Sequence, residues 1–157
     1  MTEKESIKVV ADNRKAFHDY HILERFETGI VLTGTEVKSI RSGKINLKDS
    51  YASVQNGEMW LIGTHISPYE QGNRSNKDPL RQRKLLLHKH EILRLFLQVK
   101  QEGLTIVPLK CYFKRGKVKI ELALVKGKHT YDKRDALAKK ESQRDIDRVM
   151  KNRSKNT

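Results

Sequence analysis

Alternation is the clearest pattern in this chain. From Lys117 to Val125 the apolar residues Val118, Ile120, Leu122 and Leu124 take every second place, between Lys117, Lys119 and Glu121. Successive side chains on a strand point to opposite faces, so the segment predicts a strand with one buried face. At Gly127 the alternation stops, and almost every later residue is polar or charged. A folded body over residues 13–126 is therefore expected to hand over to a basic tail over residues 127–157.

Residues 1–12 carry no sustained periodicity and are expected to be flexible. Asn13, Arg14 and Lys15 follow as a short basic cluster. Tyr20 to Leu32 mixes alternation with β-branched residues and predicts a long strand, bent or bulged at Gly29. Thr35 is placed to cap a short helix in which Val37 and Ile40 share a face, and Gly43 to end it. That helix leaves Lys38 and Arg41 together on another side.

Leu47–Gln55 and Glu58–Ile66 flank Asn56-Gly57, the dipeptide favoured in two-residue hairpin turns. Ser67 to Gln82 reads as a long loop, made positive with its borders by Arg74, Lys77, Arg81 and Arg83. Arg83–His88 predicts a short strand. Lys89 to Gln101 predicts a helix with Ile92, Leu95, Phe96 and Val99 on its core face and Gly103 at its end. Leu104–Lys114 and Lys117–Val125 predict a second hairpin, turning at Arg115-Gly116. The sum is a mainly β chain of about six strands with flanking helices, the longer helix falling between the fourth and fifth strands. A small closed antiparallel barrel of the oligonucleotide-binding (OB) type fits that order.

Charge narrows the class of partner. Lys and Arg number 33 against 19 Asp and Glu, a net charge of +14 and a pI near 9.9. Such a surplus repels itself unless a polyanion neutralises it, and RNA, DNA or an anionic membrane surface would do so. No run approaches the roughly 18 apolar residues of a membrane span. Glu3, Lys4, Glu5 and Lys8 stand where a signal peptide needs apolar residues, so a cytoplasmic protein is expected. Cys111 is the one cysteine, which excludes an intramolecular disulfide and a cysteine zinc site and suggests a small core residue.

Catalytic signatures are thin. His18-Asp19 with His21, and His88-x-His90, are the only histidine clusters, and no phosphate loop, GxSxG or Cys–His pair is present. No metal or cofactor is expected. Basic residues, by contrast, recur at each junction: Arg14 and Lys15 beside Asn13, then Lys38 and Arg41, then Arg81, Arg83 and Lys84, then Lys114 to Lys119, then Lys126 and Lys128 through to Arg134. Four Phe, five Tyr and one Trp are few for a protein that stacks single-stranded bases. Structured RNA, recognised by shape and phosphate contacts, suits this composition better. Asn13 and Glu27 are placed to read bases or 2′-hydroxyls, or else serve as a turn cap and a surface carboxylate.

From Asp132 to Thr157 nine Lys or Arg face five Asp or Glu, with only two small apolar patches and no Gly or Pro. An isolated helix of this kind is marginal in water, so the tail is expected to be disordered when free and helical when bound.

Several stretches together resemble one family: NRKAFHDY, GTEVKSIRSGK, DSYASVQNGE, HISPYEQGN, DPLRQRKLLLHKHEI, KVKIELALVKGK and DKR. In order and extent they are similar to the SmpB family of SsrA-binding proteins, the partners of transfer-messenger RNA. The resemblance implies an OB-type barrel that binds the tRNA-like part of that RNA. It also implies delivery to stalled ribosomes, with elongation factor Tu in the delivered complex, and a tail that enters the empty mRNA channel beside the decoding centre as a helix.

Family positions for RNA binding fall on Asn13, Glu27, Leu86 and Lys117, though Leu86 within RKLLLHK also reads as core. Glu36 and Lys38 lie in the GxEVKS motif, and His18 in the NRKAFHDY stretch. Gly127 stands at the junction of body and tail, and Asp132, Lys133 and Arg134 match the DKR that opens the tail. The cations Lys139, Lys140, Arg144, Arg148, Lys151 and Arg153 would then track ribosomal RNA. Tyr131 departs from the family, where His is common. Two other readings remain open at this point: an RNA-processing enzyme using His18, Asp19 and His21, and a structural ribosomal protein.

Overall fold

The computed structural model describes residues 7–69 and 76–128. The expectations for Arg74 and for Tyr131, Asp132, Lys133, Arg134, Lys139, Lys140, Arg144, Arg148, Lys151 and Arg153 lie outside the described residues. The chain divides between Lys126 and Gly127.

The elements are β1 (Ile7–Asp12), α1 (Arg14–Asp19), β2 (Tyr20–Ile30), α2 (Gly34–Arg41), β3 (Ile45–Asn46), β4 (Tyr51–Gln55), β5 (Glu58–Ile62), β6 (His65–Ile66), β7 (Arg83–Leu86), α3 (Lys89–Glu102), β8 (Thr105–Lys114) and β9 (Lys117–Gly127). Neighbours in the main sheet run β1-β8-β4-β5-β7-β2-β9, and β8 also pairs with β9. Strands β8, β4, β5, β7, β2 and β9 therefore close a ring of six, with β1 added outside on β8. The expected small closed β architecture is this ring, and α3 enters between its fourth and fifth strands.

The interior is filled by alternate residues of the ring strands, among them Met59, Leu61, Leu85, Ile106, Ile120, Leu122 and Leu124. Ile40 of α2 and Ile92 and Leu95 of α3 pack into the same cluster. Helix α2 starts from a capping box: the Thr33 hydroxyl accepts from Glu36 N, and the Glu36 carboxylate accepts from Thr33 N. The cap is thus Thr33, two residues before the expected Thr35. Helix α3 ends at Gly103 in the left-handed conformation (φ +66°), as its pattern predicts.

Four other expectations change. Residues 7–12 form a strand, paired from Ile7↔Lys114 to Asp12↔Lys110, with a register shift between Val9 and Ala11 that breaks its alternation. The strand expected over Glu58–Ile66 is cut at Gly63 (φ +85°), where a Cβ would lie 2.9 Å from the Asp49 carbonyl oxygen; its far end, β6, pairs with β3 instead. The strand expected from Leu47 begins only at Tyr51. On the β7 side Gly29 pairs in register with Leu86 rather than bulging, and its missing side chain leaves room for the Leu86 side chain, whose Cδ1 would lie 3.2 Å from a Cβ.

Candidate nucleic-acid interface

Strand parity decides which side chains can meet a partner. On β9, Val118, Ile120, Leu122 and Leu124 point inward, which sends Lys117, Lys119 and Glu121 outward. The outer face then changes character along the strand. Ala123 and Val125 are buried there with Val107 and Leu109 of β8, beneath Ala16 and Phe17 of α1. Helix α1 thus covers one half of the outer face of β8–β9 and leaves the other half open.

Strand β8 needs a bulge to present the right residues to that open half. Pro108 pairs with Leu122 and Lys110 with Glu121, so Leu109 is the extra residue. An extra residue reverses the parity beyond it. Cys111 and Phe113 accordingly join the inner cluster, and Tyr112 lies across from Lys119 and Lys114 across from Lys117. Burial drives the Cys111 thiol up to about 12.

Asn13 secures this bulge. Its backbone N–H donates to the Leu109 carbonyl at 2.8 Å, and its side-chain Nδ2 donates to the carbonyls of Pro108 (2.9 Å) and Leu47 (3.3 Å). Its Oδ1 accepts from Ala16 N at 3.3 Å and so caps α1. Asn13 is buried, at 6% exposure. Both of its amide hydrogens have protein acceptors, so it acts as the turn cap rather than as a group presented to RNA.

Glu27 stands on the outer face of β2, next to β9 in the ring. It accepts a hydrogen bond from the Tyr112 hydroxyl, and Lys114 Nζ lies 3.4 Å from both of its oxygens. Burial, and then the bond to Glu27, push the Tyr112 phenol above its ordinary value. Nearby, Arg25 lies 3.7 Å from Glu121 and 5.3 Å from the centre of the Phe17 ring. Lys117 and Lys119 have no ion-pair partner among the described residues.

The face continues onto β7. Gly29 is opposite Leu86, whose side chain is outside the ring and 55% exposed; Leu85 is the core residue, at 1%. Leu86 is therefore presented, and its reading as core fails. Lys84, two residues earlier on the same face, pairs with Glu58 at 3.0 Å. Across β7, β2, β9 and β8 the structure gathers Lys84, Leu86, Arg25, Glu27, Lys117, Lys119, Tyr112 and Lys114. Glu27, Leu86 and Lys117 thus meet on one surface, while the bonds of Asn13 go to Leu47, Pro108 and Leu109.

Two of the expected contact residues are elsewhere. Arg83 shares the inward parity of Leu85 and has no exposed area. Its Nε donates to Glu36 at 2.6 Å, its Nη1 to the Thr64 carbonyl at 2.8 Å and its Nη2 to the Pro79 carbonyl at 3.0 Å. Glu36 is likewise buried at 5% and also accepts from Arg81. Burial alone would raise the Glu36 carboxyl; the bonds from Arg81, Thr33 N and Arg83 more than offset it and hold the group below the usual glutamate value. Together they tie α2 to β7 and to the end of the long loop. They are a buried clamp, not an RNA surface.

The remaining residues are dispersed. Lys38 lies 5.5 Å from the Tyr69 ring centre and Arg41 5.5 Å from that of Phe113, so the two α2 cations serve different neighbours. Arg14 is exposed on α1. Lys126 and Gly127 close β9, followed by Lys128. Phe96, expected in the core, is 38% exposed and borders a groove of about 640 Å³ with Val54 and Leu93; Trp60 is half-buried. His18 Nδ1 lies 3.1 Å from Asp19, with 82% of the His18 side chain exposed. Among the described residues no group of three or more His, Cys, Asp and Glu is arranged to hold a metal ion. No helix among them is long and apolar enough to cross a membrane.

Tyr112 and Arg25 were not foreseen as site residues. For Tyr112 the available signal was its phase with Lys114, which the bulge at Leu109 leaves intact.

A family profile described as SmpB protein matches residues 10–152. The chain belongs to the SmpB family. Among curated relatives, the SsrA-binding protein of Carboxydothermus hydrogenoformans is 60% identical over 93% of this chain and 98% of its own length. That of Acetivibrio thermocellus is 63% identical over 94% and 96%. A solved chain described under "tmRNA-SmpB: a journey to the center of the bacterial ribosome" is 54% identical, covers 77% of this chain and 85% of its own, and superposes with a TM-score of 0.65. In this SmpB-family chain the six-stranded ring carries a cationic outer face.

Proposed function

We propose that this chain is a non-enzymatic RNA-binding adaptor of ribosome rescue, acting in the cytoplasm. The outer face of β7, β2, β9 and β8 binds the tRNA-like part of transfer-messenger RNA, and the protein carries that RNA, with elongation factor Tu, to ribosomes stalled on messages without a usable stop codon. The observation that carries this reading is the convergence of Glu27, Leu86 and Lys117 on one cationic surface. Membership of a family whose relatives are named SsrA-binding proteins supports it.

The chemistry of the face suits a folded RNA. Lys117 and Lys119 meet phosphates and release counterions on binding, Leu86 offers an apolar contact for a base or ribose, and Glu27 accepts hydrogen bonds. The tail, from Gly127 through Tyr131, Asp132, Lys133 and Arg134 to Arg153, follows the vacant mRNA channel from the decoding centre, its cations beside ribosomal RNA. Trans-translation then tags the stalled chain.

The test is a reconstituted tagging reaction on stalled ribosomes with full-length protein and with a chain stopped after Lys128. Retained binding of transfer-messenger RNA with loss of tagging is the expected result for the shortened chain. Full tagging by that shortened chain would refute the role of the tail.

A further inference from the structure

The cationic face contains one feature that charge attraction does not explain. Glu27 is an acid placed where phosphates are to be bound, and its carboxylate is itself hydrogen-bonded by the protein. Tyr112, itself only 6% exposed, donates its hydroxyl to one Glu27 oxygen from across β9. Lys114 stands 3.4 Å from both oxygens and offsets part of the charge. A carboxylate offers about four lone-pair directions, so acceptor capacity remains on the open side. Phosphate oxygens only accept hydrogen bonds. The groups of RNA that can use a fixed acceptor are the amino and imino N–H of bases and the ribose 2′-hydroxyl.

We propose that Tyr112 is a positioning residue for RNA recognition, orienting the Glu27 carboxylate to accept from a neutral hydrogen-bond donor of the bound RNA. The inference rests on the reading of this face as the RNA site. The two kinds of contact respond differently to salt. A lysine to phosphate contributes through counterion release and so to the slope of affinity against salt, whereas an oriented acceptor contributes to affinity alone. Tyr112→Phe keeps the buried ring and removes only the hydroxyl, which frees the Glu27 rotamers that binding must then immobilise.

Wild type, Tyr112→Phe, Glu27→Gln, the double variant and Lys117→Ala are titrated with transfer-messenger RNA at several salt concentrations. Thermal midpoints and active fractions are measured alongside, and titrations are run below every midpoint. Tyr112→Phe is expected to weaken binding roughly three- to tenfold, the scale of one immobilised side chain, with an unchanged salt slope. The double variant is expected to bind no more weakly than Glu27→Gln alone, and Lys117→Ala to lower the slope.

Wild-type affinity in Tyr112→Phe, or a double variant whose loss is the product of the two single losses, overturns the role of Tyr112 while leaving the face intact. Unchanged affinity and slope in Lys117→Ala would instead remove the face as the RNA site, and the proposal with it. Repeating the Tyr112→Phe comparison on 2′-fluoro RNA separates the donors. A penalty that persists there points to a base and one that vanishes points to a 2′-hydroxyl, while a penalty absent on both RNAs contradicts the proposal.

Discussion

Asn13 Nδ2 donates to the carbonyl of Pro108 at 2.9 Å, and through that bond the entry to α1 is tied to the bulge of β8. The bulge decides which β8 side chains look outward, so a residue with no exposed donor controls the surface that Tyr112 and Lys114 occupy. Asn13→Ala removes a helix cap and leaves buried carbonyls of Pro108 and Leu47 without that donor. The expected cost is about 2 kcal/mol by denaturant titration. RNA affinity should fall with no change in salt slope, because no phosphate contact is lost.

Leu86 and Leu85 are adjacent and opposite in fate. Leu86→Ala is expected to change stability by less than about 0.5 kcal/mol and to weaken RNA binding, because its side chain stands outside the ring. Leu85→Ala should destabilise by about 2–5 kcal/mol through a core cavity. Paired unfolding and binding curves for the two variants check the assignment.

The Glu36 clamp carries an acid-sensitive share of stability. Its folded carboxyl titrates below the unfolded one, so the contribution is complete above the ordinary glutamate value and is lost as pH falls through the folded value. Glu36→Gln should therefore flatten the fall of thermal midpoint with pH in that acid window. Glu36→Ala leaves Arg83 buried without its carboxylate and should cost about 3–5 kcal/mol, measured near neutral pH.

Cys111 is fully buried, and its thiol is raised to about 12. A thiol-reactive disulfide at pH 8 should label native protein only as fast as the structure opens, and denatured protein at once. Fast stoichiometric labelling of the native state would contradict the inward parity of β8 beyond Leu109.

Much of this was legible from period and turn chemistry. The alternation at Lys117–Leu124, the Asn56-Gly57 turn and the Ile92–Leu95 stripe each name their element, because side-chain period and positive φ are local properties. What sequence hid was set by distant partners. Arg83 reads as a surface cation until Glu36, 47 residues away, is seen to meet it inside. The bulge at Leu109 sits in an apolar run buried on both faces, where period carries no signal. The first strand is hidden because its own register shift between Val9 and Ala11 erases the alternation.

Selection of transfer-messenger RNA by the outer face of β7, β2, β9 and β8 can be read from a competition titration. Full-length wild type and a Leu86→Ala/Lys117→Ala variant are each titrated with transfer-messenger RNA, an elongator tRNA and an unstructured RNA, at low and moderate salt. Wild type is expected to prefer transfer-messenger RNA at both salts, and the variant to lose most of that preference while keeping its fold. Equal binding of all three RNAs by wild type, or an undiminished preference in the variant, would contradict the account.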